Sequence, residues 1–294
     1  MALCAMAALL AAPAVRAQDT AAVEAAHRRA VLDVLPPLAA QRVFGLEANP
    51  APGPATPIGS YSKGCLAGAV ELPADGPHWQ VMRPSRNRAW GHPMLIGLLQ
   101  RLADQAAADW RGLLVGDIGQ PRGGPMLTGH ESHQIGLDAD IWLTMMPDRR
   151  LSREERDNTP AVNLVAANGL DVDPATWRPE HKKLLETAAK LPGVTRIFVN
   201  PAIKKALCRD TAGEDRGWLR VIRPWWQHKR HFHMRLRCPA GQPQCHDQPP
   251  PPPGDGCGAL AWWFTPEGLH PKPGRPHRPL MLSDLPAACA AVAR

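Results

Sequence analysis

The chain has 294 residues, a formal net charge of +7 and a hydrophobic share of 44%. That is room for one large domain, and no run approaches the ~18–20 consecutive apolar residues of a membrane helix. The basic balance favours an anionic partner. No nucleic-acid motif is present, however, and the aromatics are mostly Trp rather than the Phe/Tyr pairs of an RNA-binding sheet.

In chain order, residues 1–13 form a short apolar run. It leads into Ala14-Val-Arg-Ala17, whose small residues at 15 and 17 suit a signal peptidase. Residues 1–17 are therefore read as a signal peptide cleaved before Gln18. The usual positive n-region is missing, so the true start is expected upstream. Cys4 precedes most of the apolar run and is badly placed for a lipid anchor. Residues 18–34 read as a helix that stops at Pro36-Pro37, and residues 47–60 as Pro/Ala/Gly-rich extended coil. Residues 92–110 carry Leu95, Leu98, Leu99, Leu102 and Ala106 at helical spacing, with Arg101, Asp104 and Gln105 between them. Residues 113–118 read as a strand, 120–124 as a turn, 180–190 as a second amphipathic helix, and 194–199 and 231–237 as further strands. Pro249 to Pro253 is a stiff proline run. Beyond it the chain stays rich in Pro and Gly to Leu280, with only Cys289 to fix it. These elements describe one α+β domain over residues 18–294, with a loop-rich extension from about residue 247.

Without Cys4, six cysteines remain: Cys65, Cys208, Cys238, Cys245, Cys257 and Cys289. None lies in a C-x-x-C pair, which argues against zinc-ribbon and thioredoxin chemistry. In an exported chain an even set reads as three disulfides, although composition does not choose among the pairings. Cys238 and Cys245 can close a small loop, and Cys65 with Cys289 would tie the two ends together.

Five of the twelve histidines fall in two clusters, His130-Glu-Ser-His133 and His228-Lys-Arg-His231-Phe-His233. Imidazoles and a carboxylate are the zinc ligands used where thiolates are absent, and three protein ligands leave a position for catalysis. Residues 231–237 alternate strictly, with His231, His233, Arg235 and Arg237 on one face and Phe232, Met234 and Leu236 on the other. Two imidazoles ~6–7 Å apart at the backbone suit one ligand and one acid/base group. Residues 137–143 alternate as well, placing Asp138 and Asp140 on one face, where a cation or hydrogen bonds must satisfy them. Asp138 can orient a ligand, and Gly136 allows the bend that His133 and Asp140 need to face one ion. His130-Glu-Ser-His133 is one residue short of H-E-x-x-H, so Glu131 is not the general base. Ser60-Tyr-Ser-Lys63 fits S-x-x-K, but S-D-N and K-T-G are absent.

Gly124-Pro-Met-Leu-Thr-Gly-His-Glu-Ser-His-Gln-Ile-Gly-Leu-Asp-Ala-Asp-Ile-Trp142 resembles the first motif of the penicillin-insensitive murein endopeptidases. Trp225-Trp-Gln-His-Lys-Arg-His-Phe-His-Met-Arg-Leu-Arg-Cys-Pro239 resembles their second. Further similarity at Ile58–Cys65, Arg86–Pro93, Val194–Pro201 and Gly254–Cys257 extends the resemblance from about residue 40 to the C-terminus. The resemblance implies a hedgehog/D,D-peptidase-like fold, an antiparallel sheet with flanking helices. It implies one catalytic zinc held by His133, Asp140 and His233, with His130 in the cleft and sometimes counted as a ligand. It gives His231 the acid/base role and lets His228 protonate the leaving amine or hold substrate. A further metal near Asn168 and Asp171 stays open, because this chain has little histidine there. The implied disulfides are Cys65–Cys289, Cys208–Cys257 and Cys238–Cys245. The implied partner is periplasmic cross-linked peptidoglycan, cut at D-alanyl bonds. Arg235 and Arg237 are candidates for stem-peptide carboxylates, Trp225 or Trp226 for substrate contact and Trp142 for core packing. The rival readings are a zinc D,D-carboxypeptidase on the same fold and a non-catalytic metal-binding envelope scaffold. A homodimer stays open.

Overall fold

The computed structural model describes residues 20–272 and 278–294. The signal-peptide reading falls on residues 1–17, outside the described residues. Helix α1 (Thr20–Val34) and the short α2 (Ala40–Gly45) precede a hairpin of β1 (Thr56–Ser60) and β2 (Lys63–Ala67). The strands β3 (Val70–Glu71), β4 (Asp75–Gly76), β5 (Trp79–Val81) and β6 (Trp90–Gly91) are short. After the long α3 (Pro93–Trp110) come β7 (Leu113–Val115), β8 (Asp138–Trp142), α4 (Arg153–Asn158) and α5 (Pro179–Lys190). Next come β9 (Val194–Val199), α6 (Pro201–Asp210), β10 (Ile222–Pro224) and β11 (His231–Leu236). The extension carries α7 (Pro266–Leu269) and α8 (Cys289–Val292).

The fold is α+β, built on a seven-stranded sheet of order β10-β9-β11-β8-β7-β5-β4. The sheet is mixed rather than wholly antiparallel. β8 pairs antiparallel with β7 and β11, and β11 with β9, but β5–β7 and β9–β10 are parallel. Helices cause the difference: α3 lies in the crossover from β5 to β7 and α6 in that from β9 to β10, and a crossover returns the chain parallel. His92 caps α3 by accepting from the Met94 amide at 3.1 Å, Pro93 opens it, and Leu95, Leu98, Leu99, Leu102 and Trp110 are buried against the sheet. With Leu184 and Leu185 of α5 and Ile203 and Leu207 of α6, they make the main core.

Two expectations change. Residues 56–60 are not coil but the first strand of the hairpin, a pairing partner the local Pro/Gly content did not reveal. The C-terminal extension is tied at many points, not at Cys289 alone. Leu285, Cys289 and Val292 pack with Ala40, Phe44, Ile58 and Cys65 in a second core. Ala40 N donates to Leu280 O at 2.7 Å, and Arg122 Nη1 to Val292 O at 3.0 Å. The proline run offers carbonyls without amides of its own, and Arg196 reaches Pro249 O at 2.5 Å while Arg220 Nη2 reaches Pro251 O at 2.7 Å. Lys204, wholly buried in α6, donates to Leu219 O at 2.8 Å and Asp255 O at 2.6 Å. All three implied disulfides are present, Cys65–Cys289, Cys208–Cys257 and Cys238–Cys245.

Loop closure ranks the disulfides, with sequence separations of 224, 49 and 7 residues. Replacing Cys65 and Cys289 with Ser is expected to cost about 2–5 kcal/mol, more than replacing Cys238 and Cys245, as urea unfolding would measure. Burial pushes the Lys204 ammonium down to about 7 from 10.5. The unfolded chain therefore binds the extra proton between those values, and stability rises as pH climbs through them. Lys204→Met should flatten that part of the pH–stability curve.

Candidate metal centre

β8 and β11 are antiparallel neighbours at the middle of the sheet. Their register sets His233 opposite Asp140, Arg235 opposite Asp138 and His231 opposite Trp142. Ala139, Ile141, Phe232 and Met234 are fully buried in the core on the alternate positions. His133 arrives from the loop ahead of β8. Gly136 turns that loop at φ +66°, and a Cβ there would meet Leu66 Cδ2 at 2.3 Å, so only glycine fits. His133 itself holds φ +67°, uncommon for a side-chain-bearing residue, and its amide donates to Asp138 Oδ2 at 3.0 Å. No helix carries His130 and His133, consistent with the one-residue shortfall from a zincin motif.

Three groups converge. His133 Nε2 lies 3.4 Å, and His233 Nδ1 3.3 Å, from Asp140 Oδ1. These separations are long for hydrogen bonds and match the ~3.3–3.4 Å edge of a tetrahedron with ~2.0–2.1 Å bonds. His133 Nε2 and Asp140 Oδ1 are buried with no hydrogen-bond partner, an arrangement that is costly unless a cation takes up the lone pairs. The rings are aimed from behind. His133 Nδ1 donates to Ile118 O at 2.7 Å, turning Nε2 inward. His233 Nε2 faces Asp138 Oδ1 at 3.1 Å, turning Nδ1 inward. Asp138 also receives Arg235 Nε at 2.7 Å and Nη2 at 3.1 Å.

His130 stands beside this group. Ligand atoms of His130, His133 and Asp140 lie within 4.8 Å of one another, so a His-His-Asp set able to hold a metal ion is present. His130 Nε2 is closer to Asp117 Oδ2, at 2.9 Å, than to Asp140 Oδ2, at 3.7 Å. The same Asp117 oxygen accepts from Arg88 Nη1 at 2.9 Å and Arg86 Nη1 at 3.1 Å. The charge pattern follows from burial and neighbours. Burial would raise the carboxyls of Asp117 and Asp138, but Arg88 and His130 beside one, and Arg235 and His233 beside the other, hold both far below the usual range. Burial lowers His133 and His231, and lowers His228 to about 3. Burial would lower His233 too, but Asp138 and Asp140 push it up to about 9.

On the rim, His231 Nε2 lies 3.4 Å from Asp140 Oδ2. The His228 ring is 5.1 Å from that of His231, with its Nδ1 2.7 Å from Trp226 O. Trp226 packs against Trp225, Trp262 and Trp263 and donates from Nε1 to Gly268 O, so the extension backs the rim. Trp142 is buried with Met82, Leu114, Met146 and Leu151.

Other candidates sit elsewhere. Arg235 is not open to a stem-peptide carboxylate, because its guanidinium is spent on Asp138 and Gln248 and lies over the Tyr61 ring. Arg237 falls past a register shift at the end of β11 and is exposed. Asp171 is neutralised by Arg209 at 3.0 Å and Lys205 at 3.2 Å, far from a vacant carboxylate. Ser60 and Lys63 merely face each other across the hairpin turn. The sequence reading missed Asp117 and the Ile118 carbonyl. It ran a strand through residues 113–118, whereas β7 ends at Val115 and the next residues turn to serve the histidines. The one available signal was an aspartate one glycine past a fully apolar strand.

The family model described as penicillin-insensitive murein endopeptidase matches residues 57–294. The chain is 47% identical over 246 residues to the penicillin-insensitive murein endopeptidase of Yersinia enterocolitica, covering 83% of this chain and 87% of that one. It is 49% identical over 247 residues to that of Klebsiella pneumoniae, and 49% identical over 248 residues to that of an Escherichia coli strain, with 83% of this chain and 88% of each relative covered.

Removing the carboxylate behind His233 should loosen the metal without deleting a ligand. Asp138→Ala is expected to lower metal affinity about 10- to 100-fold, as competition against a chelating dye would measure, while His133→Ala and His233→Ala each leave the protein without stoichiometric metal.

Proposed function

Since the chain belongs to the penicillin-insensitive murein endopeptidase family, we propose that it is a periplasmic zinc enzyme that opens D-alanyl cross-links between peptidoglycan stem peptides. The observation that carries the reading is the pair of imidazole nitrogens, His133 Nε2 and His233 Nδ1, that face one carboxylate oxygen, Asp140 Oδ1, at 3.4 and 3.3 Å. All donors are nitrogen or oxygen, and the six cysteines among the described residues are in disulfides, a set that suits a catalytic rather than a structural zinc. Among the described residues no helix is long and apolar enough to cross a membrane.

When bound, zinc supplies Lewis-acid polarisation and lowers the pKa of water from ~15.7 toward ~7. The chain's own groups do the rest. His231, kept neutral by burial, offers Nε2 beside Asp140 Oδ2 and is the group that accepts a proton from the attacking water. His228 gives its Nδ1 hydrogen to Trp226 O and presents a bare Nε2. It therefore acts as an acceptor that holds a substrate N–H, rather than as the resting acid. Asp138 and Ile118 O keep the two ligand rings in one tautomer throughout. None of these steps passes through a serine ester, so a β-lactam has no nucleophile to acylate, and insensitivity to penicillin follows from the chemistry.

Mature protein incubated with purified sacculi is expected to convert cross-linked muropeptide dimers to monomers, to stop when a chelator is added and to continue in penicillin. Surviving dimers with free D-alanine would mark a carboxypeptidase instead. His231→Ala should lower turnover by about 10²- to 10⁴-fold with metal content unchanged, and substantial residual activity in that variant would remove His231 from the proton-transfer role.

A further inference from the structure

Helix α1 lies ahead of residue 57, where the matched family model begins. It contributes no buried residue to any core, so apolar packing does not explain why it docks. Polar hooks do. Thr20 Oγ1 donates to Asp157 O at 2.6 Å. One turn on, Glu24 Oε1 accepts from Thr128 Oγ1 at 2.5 Å, and Oε2 lies 3.5 Å from Arg86 Nη2. A further turn on, Arg28 donates to Arg86 O at 3.3 Å and Gly45 O at 3.2 Å. The three hooks share one helix face at i, i+4 and i+8.

The middle hook reaches the catalytic region. Arg88 Nη2 donates to both the carbonyl and the hydroxyl oxygen of Thr128, at 3.0 and 2.9 Å, while its Nη1 holds Asp117. The Thr128 hydroxyl, accepting from Arg88, spends its own hydrogen on Glu24. Thr128 is two residues ahead of His130, with Gly129 at φ +92° as the only link. Asp117 Oδ2 is shared by Arg86, Arg88 and His130. Without Glu24, Arg86 keeps Asp117 as its carboxylate partner and loses the other, and the Thr128 hydroxyl is free to rotate.

We propose that Glu24 is a positioning residue for His130, acting through Thr128 and the Arg86–Arg88–Asp117 cluster, and that α1 is thereby a working part of the active site. The claim rests on the proposed peptidase reading only for its kinetic arm. Glu24 touches none of His133, Asp140 and His233, the three groups proposed to hold the metal, so zinc content is expected to hold when Glu24 is replaced.

The test compares Glu24→Ala and Glu24→Gln with the parent protein, all loaded with zinc. Gln keeps an oxygen for the Thr128 hydroxyl and loses the charge. Glu24→Ala is expected to lower kcat on cross-linked muropeptides about 3- to 10-fold, less than the 10–100-fold of a partner in direct contact with a metal ligand. KM and zinc content should hold, and Gln should restore part of the loss. Ring nitrogen NMR, with His130 assigned through His130→Ala, should show the His130 signal shifted or broadened in Glu24→Ala while those of His133 and His233 stay. An unshifted His130 signal overturns the proposal, as does a loss of activity that tracks a lower Tm and is not rescued by Gln. If the parent fails to cleave cross-links, the peptidase reading falls, and the His130 signal still decides the role of Glu24.

Discussion

Two aspartates two residues apart on a central strand put two carboxylates on the same face of β8, both buried. Charge of one sign at that density does not persist in a sheet unless each group meets a cation or a set of donors. The antiparallel neighbour supplies different partners to each. Arg235 stands opposite Asp138 and His233 opposite Asp140. The first pair is closed, with two hydrogen bonds inside the protein. The second is left with lone pairs facing inward, and that asymmetry makes one aspartate a brace and leaves the other able to hold a metal ion.

The same logic extends outward. Asp138 also fixes the His133 amide and faces His233, so a single carboxylate sets the conformation of both histidines that converge on Asp140. Asp117 does the equivalent work for His130, balanced by Arg86 and Arg88. The centre is therefore a layered charge arrangement. Inner carboxylates face histidines, and an outer ring of arginines keeps those carboxylates ionised despite burial.

Scaffold and site are joined through the parts that look least structured. The extension carries Trp262 and Trp263 to Trp226, whose carbonyl fixes the His228 tautomer. Its proline carbonyls are held by arginines, and its last helix closes a second core over the hairpin. The hairpin in turn backs the histidine loop, since Gly64 N donates to Gln134 Oε1 at 3.0 Å and Leu66 packs against the Gly136 turn.

Much of this was legible locally. Strict period-two alternation marked residues 231–237 and 137–143 as strands with chemistry on one face, and the 3.6-residue period marked α3 and α5, because exposure alternates on a length scale the sequence displays directly. The histidine clusters and the spacing of Asp138 and Asp140 named the donor set. What no local pattern carries is partnership across the chain. The β8–β11 register decided that Arg235 would neutralise Asp138. The early end of β7 brought Asp117 and the Ile118 carbonyl to the histidines. Contacts across more than 100 residues fixed Thr128 to Glu24 and the C-terminus to the hairpin. The sequence alone determined which residue types can hold a metal and move a proton here. The tertiary structure decided which of them face the same point, because that depends on strand register and on loops closed over distances that periodicity does not encode.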